Sequence, residues 1–258
     1  MISTAQSKLI RSLRQKKFRD QHRIFMLEGE KMVVELASGE GKSNFLIREL
    51  IATPEWIDAY KALLHSQNFK ITEATQAEIK KVSNLVTPQP VIALVKIPET
   101  EFRIQELLQT PVLAFESIRD PGNLGTIIRT ADWFGIRHIV CTPDSTDLYN
   151  PKVVQSTMGA ITRVRVHYME LEPLLNSKEI QEKTIFGTFM EGENIYSSSL
   201  EPDPLILFGN ESHGLSDSLK PYIGHRISIP TFSPEGKGSE SLNVASSVAV
   251  ICSELRRK

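Results

Sequence analysis

The stretch N-L-G-T-I-I-R at residues 123–129, directly after D-P-G at 120–122, decides how the second half of this chain is interpreted. Its apolar residues recur at helical spacing, so it predicts a helix with one buried stripe. The stripe consists of Leu124, Ile127, Ile128 and Ala131. Gly125 and Arg129 fall one turn apart on a neighbouring face, which predicts an open notch beside a permanent positive charge. Such a notch suits a phosphate or a ribose; a surface ion pair between Arg129 and Asp132 is the simpler alternative.

From residue 110 onward, apolar stretches of strand length alternate with helical patterns. Val112–Phe115, His138–Cys141 and Leu205–Phe208 are predicted to be buried strands, and a helix over residues 242–255 ends the chain. Alternation of this kind is typical of an α/β fold with a mostly parallel sheet covered on both faces. Ligands of such sheets bind at the carboxyl ends of the strands.

The N-terminal part is predicted to be a separate, small α/β domain over residues 1–97, joined by a polar linker at 98–109 to a domain at 110–258. Its first 23 residues hold seven lysines and arginines against one acid. This imbalance favours a basic amphipathic helix that contacts a polyphosphate backbone over a merely solvated surface helix. The basic residues predicted to make that contact are Lys8, Arg11, Arg14, Lys16, Lys17, Arg19 and Arg23.

Composition argues against several classes of protein. The chain has 258 residues, of which 40% are apolar and 24% charged, as in soluble domains. It has no membrane-length apolar run and no apolar signal core, so we expect a cytoplasmic protein with no membrane partner. Cys141 and Cys252 lie in apolar surroundings and are expected to be buried, reduced thiols, and no ligand cluster predicts a metal. The dinucleotide fingerprint, the P-loop and the serine-hydrolase elbow are missing as well.

A second informative segment is L-F-G-N-E-S-H-G-L at residues 207–215. It follows an apolar strand, so Gly209 and Glu211 are predicted to lie at the strand's carboxyl end, where a ligand can approach the backbone. An ordinary turn is the alternative. His213 has no partner at local spacing and is predicted to be a turn residue.

A third segment begins with I-S-I-P at 227–230 and continues through a loop at 231–240 to S-L-N-V. It delivers Ser241 and Asn243 to the N-terminus of the last helix, where free amides face a ligand. Ser241 is predicted to be the N-cap, which leaves Asn243 inside the helix against its propensity.

The three segments together, in this order, resemble the SpoU (TrmH-like) family of RNA 2′-O-ribose methyltransferases, in the SPOUT superfamily. The matching motifs are N-x-G-x-x-x-R, L-F-G-N-E-x-x-G-L and I-S-I-P followed by S-L-N-V-A. The resemblance covers the chain from about residue 110, and residues 1–97 are similar to the smaller RNA-binding domain of many members. It implies a deep C-terminal trefoil knot that holds S-adenosylmethionine, and a homodimer with the active site near the subunit interface.

The resemblance also implies roles for individual residues. By motif position, the cofactor contacts are Thr188, Gly209, Ile229 and Leu242. The positions that members use for catalysis and substrate binding are occupied by Arg129, Asn123, Glu211, Ser241 and Asn243. The loop at 231–240 is longer than the family's usual connection, so Ser239 competes with Ser241 for its position; the unbroken S-L-N-V run favours Ser241.

The implied reaction is methyl transfer from S-adenosylmethionine to a ribose 2′-hydroxyl of RNA. A neutral hydroxyl is a poor nucleophile, so we expect Arg129, held against a phosphate, to polarise the oxygen while a nearby base takes the proton. Asn123, Glu211 and Asn243 are expected to orient the guanidinium and the ribose. Ribosomal RNA is favoured over transfer RNA. Transfer RNA methylation, a non-catalytic RNA-binding protein and another nucleotide-cofactor enzyme are the alternatives.

Overall fold

The structure is a computed structural model that describes residues 1–39, 44–65, 67–99, 101–233 and 241–257. The chain divides into two compact units: Met1–Thr100 with Asp147–Arg163, and Glu101–Thr146 with Val164–Lys258. The boundary after residue 100 falls inside the segment predicted to be a linker. Residues 147–163, which the sequence had placed in the second domain, pack with the first unit, so both units are discontinuous in sequence.

The first unit is a four-stranded mixed sheet with helices. Its strands are β1 (Ile24–Glu28), β2 (Leu46–Ala52), β3 (Lys70–Glu73) and β4 (Val91–Lys96). Its helices before residue 100 are α1 (Thr4–Ser12), α2 (Lys16–His22), α3 (Glu30–Ser38), α4 (Pro54–Ala59), α5 (Lys61–Leu64) and α6 (Gln76–Val82). The sheet order is β1-β4-β2-β3, with β4 antiparallel to both neighbours and β2 parallel to β3.

Local signals explain where several of these helices begin and end. The hydroxyl of Thr53 accepts the amide of Trp56, and proline follows directly, which explains why α4 starts at Pro54. Thr75 and Glu78 form a reciprocal capping box at the start of α6. Gly39 ends α3 with a positive φ of 68°.

The basic N-terminal segment is not one helix, because α1 stops at Ser12 and α2 starts at Lys16. Arg19 stabilises the segment between the two helices. One of its guanidinium nitrogens donates to the carbonyls of Leu13 at 2.8 Å and Arg14 at 3.0 Å. Its other terminal nitrogen pairs with the carboxylate of Asp147 at 2.5 Å. The Arg19 side chain is only 3% exposed, so its predicted contact with RNA is wrong for this structure.

The second unit is a six-stranded parallel sheet, which confirms the predicted α/β class. Its strands are β5 (Val112–Phe115), β6 (His138–Cys141), β7 (Arg165–Tyr168), β8 (Ile185–Asn194), β9 (Leu205–Phe208) and β10 (His225–Ser228). The order is β10-β8-β9-β5-β6-β7, and each of these pairings is parallel. The helices after residue 100 are α7 (Pro121–Trp133), α8 (Pro151–Thr157), α9 (Leu171–Leu175), α10 (Lys178–Gln181) and α11 (Val244–Arg256).

Helix α8 lies in the part of the chain between β6 and β7 but belongs to the first unit. Its Val153 and Val154 are buried, and the ring of Tyr149 just before it lies 4.8 Å from the ring of Phe25 in β1. Burial of these apolar groups explains why the segment stays with the first unit.

Each unit has its own hydrophobic core. In the first unit, buried members include Ile10, Leu13, Ile24, Met26, Ile79 and Leu94. In the second, they include Leu107, Val112, Val140, Leu174, Leu205 and Leu207. Leu107 belongs to a 3₁₀ helix at Ile104–Leu107, so part of the predicted linker is packed structure.

The cysteine prediction is confirmed in that both thiols are free and buried. Burial raises the pKa of Cys141 and of Cys252 to about 12, so both stay protonated and unreactive at neutral pH. No helix among the described residues has both the length and the apolar character to cross a bilayer.

The ion pair of buried Arg19 with partly buried Asp147 gives the first prediction. Arg19→Ala leaves a carboxylate and two carbonyl groups without their donor, and loss of one partner of a buried pair costs about 3 kcal/mol. We expect that decrease in the free energy of unfolding, measured by urea denaturation. Arg11→Ala removes an exposed arginine of α1 and should change the same free energy by less than about 0.5 kcal/mol. Equal effects of the two substitutions would contradict the structural role of Arg19.

Candidate active site

Two loops of the second unit meet at the carboxyl edge of its sheet. Strands β5 and β9 are neighbours, and their last residues, Phe115 and Phe208, are paired in register with their rings stacked at 4.9 Å. The chain leaves both strands at the same level, so the loops that follow lie side by side. These loops carry two of the three sequence segments that predicted a site.

The loop after β9 is tight and requires glycine at its first position. The amides and carbonyls of Asn210 and Gly214 bond each other reciprocally at 2.9 Å, and a Cβ on Gly209 would collide with the backbone of Gly214 and Leu215. The side-chain amide of Asn210 donates to the carbonyl of Ser117 at 3.0 Å, which ties this loop to the loop after β5. Glu211 is held exposed between the paired residues.

A chain of hydrogen bonds joins three of the predicted catalytic residues. The side-chain amide nitrogen of Asn123 donates to Glu211, and the nitrogen of Asn243 donates to the Asn123 side-chain carbonyl at 3.1 Å. The backbone amide of Asn123 in turn donates to the N-cap residue Asp120 at 2.8 Å. The structure therefore brings Asn123, Glu211 and Asn243 together in one polar cluster.

Asn243, rather than Ser241, caps the last helix, so the predicted N-cap is wrong. The Asn243 side-chain oxygen accepts the amides of Ala245 at 2.9 Å and Ser246 at 3.3 Å, and α11 begins only at Val244. Its position outside the helix removes the propensity problem, because Asn is among the preferred caps. Ser241 is exposed two residues earlier, while Ser239 and the loop residues 234–240 lie outside the described residues.

Arg129 lies exposed on α7 and makes no hydrogen bond to the residues of this cluster. Within the described ranges its side chain has no hydrogen bond or ion pair, so the alternative of a pair with Asp132 is not realised. The four-residue stripe is fully buried, as predicted. Gly125 is buried too, so the predicted open notch beside Arg129 is wrong. What remains is an exposed guanidinium that is available to a ligand.

The four residues implied as cofactor contacts belong to the same unit but differ in setting. Gly209 follows β9 directly and Ile229 follows β10 directly. Leu242 is half-exposed just before α11. Thr188 lies inside β8, which runs to Asn194, and its hydroxyl donates to the carbonyl of Leu207 at 3.1 Å.

Most of the residues predicted to bind RNA are exposed on the first unit. This group comprises Lys8, Arg11, Arg14, Lys16, Lys17 and Arg23. Arg14 is partly engaged, because its guanidinium donates to Asn84 at 2.7 Å and to the carbonyl of Ser83 at 2.9 Å. Arg19 is the one member that is buried.

Sequence reasoning missed a polar network after β5 and β6. The Ser117 hydroxyl donates to Asp144 at 2.5 Å, Thr142 donates to the same carboxylate at 2.6 Å, and Arg119 pairs with it at 2.9 Å. The Ser117 and Thr142 hydrogen bonds lower the pKa of Asp144. Ser117 has a positive φ of 56°, a conformation that non-glycine residues avoid. Polar residues directly after predicted parallel strands were the signal that could have revealed it.

Comparisons with known proteins agree with both halves of the chain. Residues 110–253 match the SpoU rRNA Methylase family, and residues 5–93 match the MRM3-like substrate binding domain. The chain is 26% identical to the 23S rRNA (guanosine(2553)-2′-O)-methyltransferase RlmP of Bacillus subtilis, over 95% of this chain and 94% of that protein. It is 27% identical to the 23S rRNA (guanosine-2′-O-)-methyltransferase RlmB of Neisseria meningitidis serogroup B, over 90% of each.

Solved structures show the same similarity over the full length. An AdoMet-bound rRNA methyltransferase from Sinorhizobium meliloti matches with a TM-score of 0.84 and 27% identity, covering 100% of this chain and 97% of the other. A TrmH family protein from Porphyromonas gingivalis matches with the same TM-score and 33% identity, covering 100% and 99%.

The double role of Asn243 gives a prediction about stability. Asn243→Ala removes the cap of α11 and should lower the free energy of unfolding by about 1 kcal/mol. Asn243→Ser also loses the hydrogen bond to Asn123 but keeps a capping oxygen, so its free energy of unfolding should exceed that of Asn243→Ala. Urea denaturation of the three proteins measures both effects. An alanine variant as stable as the parent would show that Asn243 is not the cap.

Proposed function

Because the chain belongs to the SpoU rRNA Methylase family, we propose that it transfers a methyl group from S-adenosylmethionine to a ribose 2′-hydroxyl of ribosomal RNA. The observation that carries this proposal is the hydrogen-bonded cluster of Asn123, Glu211 and Asn243 at the carboxyl edge of the sheet. The enzymes named above, which match over nearly the whole chain, are 23S rRNA 2′-O-methyltransferases, and this favours ribosomal over transfer RNA.

The carboxyl edge of the sheet offers hydrogen-bond donors that suit S-adenosylmethionine. Among the described residues, the backbone amides of Gly209 and Ile229 make no hydrogen bond, although amides in such positions normally have a partner. The half-exposed Leu242 adds an apolar surface in the same unit. When bound, S-adenosylmethionine supplies a methyl group activated by a positively charged sulfur. Gly209, Ile229 and Leu242 would hold it, with Thr188 as a further contact.

Glu211 is the residue best placed to take the proton of the 2′-hydroxyl. One of its carboxylate oxygens is occupied by Asn123, and the other has no hydrogen-bond partner in the described part of the chain. A free carboxylate oxygen at a sheet edge can accept a hydroxyl proton as a general base. No hydrogen bond joins Arg129 to the cluster, so Asn123 and Asn243 orient Glu211 rather than the guanidinium.

Arg129 supplies the positive charge in this mechanism. Its guanidinium is exposed and unpaired among the described residues, and it keeps its charge at any working pH. It binds an RNA phosphate beside the reacting ribose and stabilises the negative charge that develops on the 2′-oxygen. Ser241, exposed before α11, contacts the RNA or the cofactor loop instead of capping the helix.

The proposal extends to topology, assembly and location. The C-terminal segment would form a trefoil knot, since the chain matches solved TrmH and rRNA methyltransferase structures along its full length. The protein would act as a cytoplasmic homodimer without a metal. Trp133 supports a dimer, because it is 84% exposed at the end of α7 and tryptophan is enriched at protein interfaces.

The activity is tested with total RNA from cells that lack the gene. Purified protein and methyl-labelled S-adenosylmethionine are added, and ribosomal and transfer RNA are then separated and hydrolysed with alkali. A 2′-O-methyl group blocks alkaline cleavage, so label in alkali-resistant dinucleotides of ribosomal RNA supports the proposal. Label only in transfer RNA would identify the other substrate. RNA binding without any label would identify a non-catalytic protein.

Substitution of Arg129 tests its role. Arg129→Ala should lower kcat about a hundredfold, because it removes one preorganised charge at the transition state. The Kd for S-adenosylmethionine, measured by calorimetry, should remain unchanged. Arg103→Ala is the matched control, since Arg103 is an exposed arginine that precedes β5 and so lies away from the carboxyl edge. A loss of cofactor affinity in Arg129→Ala as large as its loss in kcat would contradict the catalytic assignment.

Assembly is tested at Trp133. Trp133→Arg places a charge in the proposed interface and should convert a dimer to a monomer in light scattering. Tyr196→Arg changes another exposed aromatic residue of the second unit, outside α7 and α11, and should leave the dimer intact. A parent protein that is monomeric at all concentrations would refute the homodimer.

A further inference from the structure

A cavity of about 550 Å³ opens at one end of the first unit's sheet. It is bounded by the end of α2, the starts of β1 and β2 and the end of β4. Its lining includes Arg23, Leu46, Arg48, Lys96, Ile97 and Glu99. This volume falls within the range of pockets that hold small ligands, and the cavity lies outside the cluster described above.

Strand register explains why apolar and charged groups meet in this cavity. Lys96 at the end of β4 is paired with Ile24 on one side and with Leu46 on the other. Side chains paired across antiparallel strands share a face of the sheet. The face that carries the first unit's core therefore continues into the cavity, where Leu46 is 61% exposed.

Three cations in the cavity lack a partner among the residues that the structure describes. The side chains of Arg23, Arg48 and Lys96 are exposed, and none makes a hydrogen bond or an ion pair with a described residue. Glu99 is the only acid among the lining residues. One carboxylate cannot balance three cations, and an anionic ligand relieves the repulsion that remains.

Arg23 adds a second, independent observation. It ends α2 in the left-handed conformation with φ of 52°, where glycine would fit without strain. Its amide bonds the carbonyl of Arg19, and its carbonyl accepts the amide of Ile97 at 2.9 Å, so the backbone there turns the chain into β1 and extends the pairing with β4. Any residue with a Cβ is strained at such a position, and this strain points to a role for the arginine side chain.

We propose that this cavity binds one unpaired nucleotide of the RNA substrate, with its phosphate against Arg23, Arg48 and Lys96 and its base on Leu46. The proposal rests on RNA being the substrate, as proposed above. An unpaired base can leave its stack and enter a concave site, whereas a duplex offers mainly its backbone and a shallow groove. The exposed leucine beside the cations favours a base together with its phosphate over a phosphate alone.

The experiment measures binding of a fluorescein-labelled single-stranded oligoribonucleotide of mixed sequence, and of the same strand annealed to its complement. The combined variant Arg23→Gly, Arg48→Ser, Lys96→Ser should bind the single strand at least about tenfold more weakly than the parent. The slope of its log affinity against log salt concentration should be shallower than that of the parent by about 0.7 for each lost phosphate contact. Leu46→Ser should weaken binding of the single strand but leave binding of the duplex unchanged.

Arg23→Gly alone separates function from folding. It relieves the left-handed strain, so its midpoint of thermal unfolding should equal or exceed that of the parent while its RNA affinity falls. Reduced RNA affinity together with a lower midpoint would overturn the argument from Arg23.

Lys80→Ser with Lys81→Ser is the control, because it also removes exposed charge from the first unit. These lysines lie near the C-terminal end of α6, whose next residue, Ser83, contacts Glu28 at the far end of β1. Ile24 and Glu28 are about 13 Å apart along the strand. The control should bind both probes as the parent does.

The outcomes separate this site from the proposed function. Unchanged single-strand affinity in the cavity variants, or a loss confined to the duplex, overturns the site even if the parent methylates RNA. A parent that binds RNA but transfers no methyl group overturns the proposed function, and the cavity variants still decide the site.

Discussion

One side-chain amide, that of Asn123, must satisfy two partners at once, and the arrangement at the sheet edge depends on it. Its nitrogen donates to Glu211, which as a carboxylate can only accept, so the orientation of the amide is fixed. Its oxygen must then accept from Asn243. The oxygen of Asn243 is already committed to the first amides of α11. Three distant segments are thereby held in a single hydrogen-bonding pattern.

Local sequence patterns were sufficient to predict the strands that lead into this site. Val112–Phe115, His138–Cys141 and Leu205–Phe208 occur where the apolar runs predicted them, because buried parallel strands are apolar on both faces. The stripe on α7 followed from helical spacing. The cluster itself could not follow from such patterns, because its hydrogen bonds join residues 88 and 120 positions apart. Only the resemblance to a known family connected those residues before the structure did.

Two errors show where sequence reasoning fails. Ser241 and Asn243 are both good caps, and only the path of the chain into α11 decides between them. The sequence predicts Arg19 on an exposed basic helix that contacts RNA, because charged residues are rarely buried without a partner. Its partner, Asp147, lies 128 residues later, in a segment that had been placed in the other domain. Pairs of this kind become visible only when the two segments are seen folded together.

The discontinuity of the two units has a consequence for biosynthesis. Chain emerging from a ribosome cannot complete the first unit until residues 147–163 are available, since they supply α8 and the counterion of Arg19. By that point β5, α7 and β6 have already been translated, while four strands of their sheet have not. The nascent chain therefore carries two half-built cores at once, and its units mature in an interleaved order instead of one after the other.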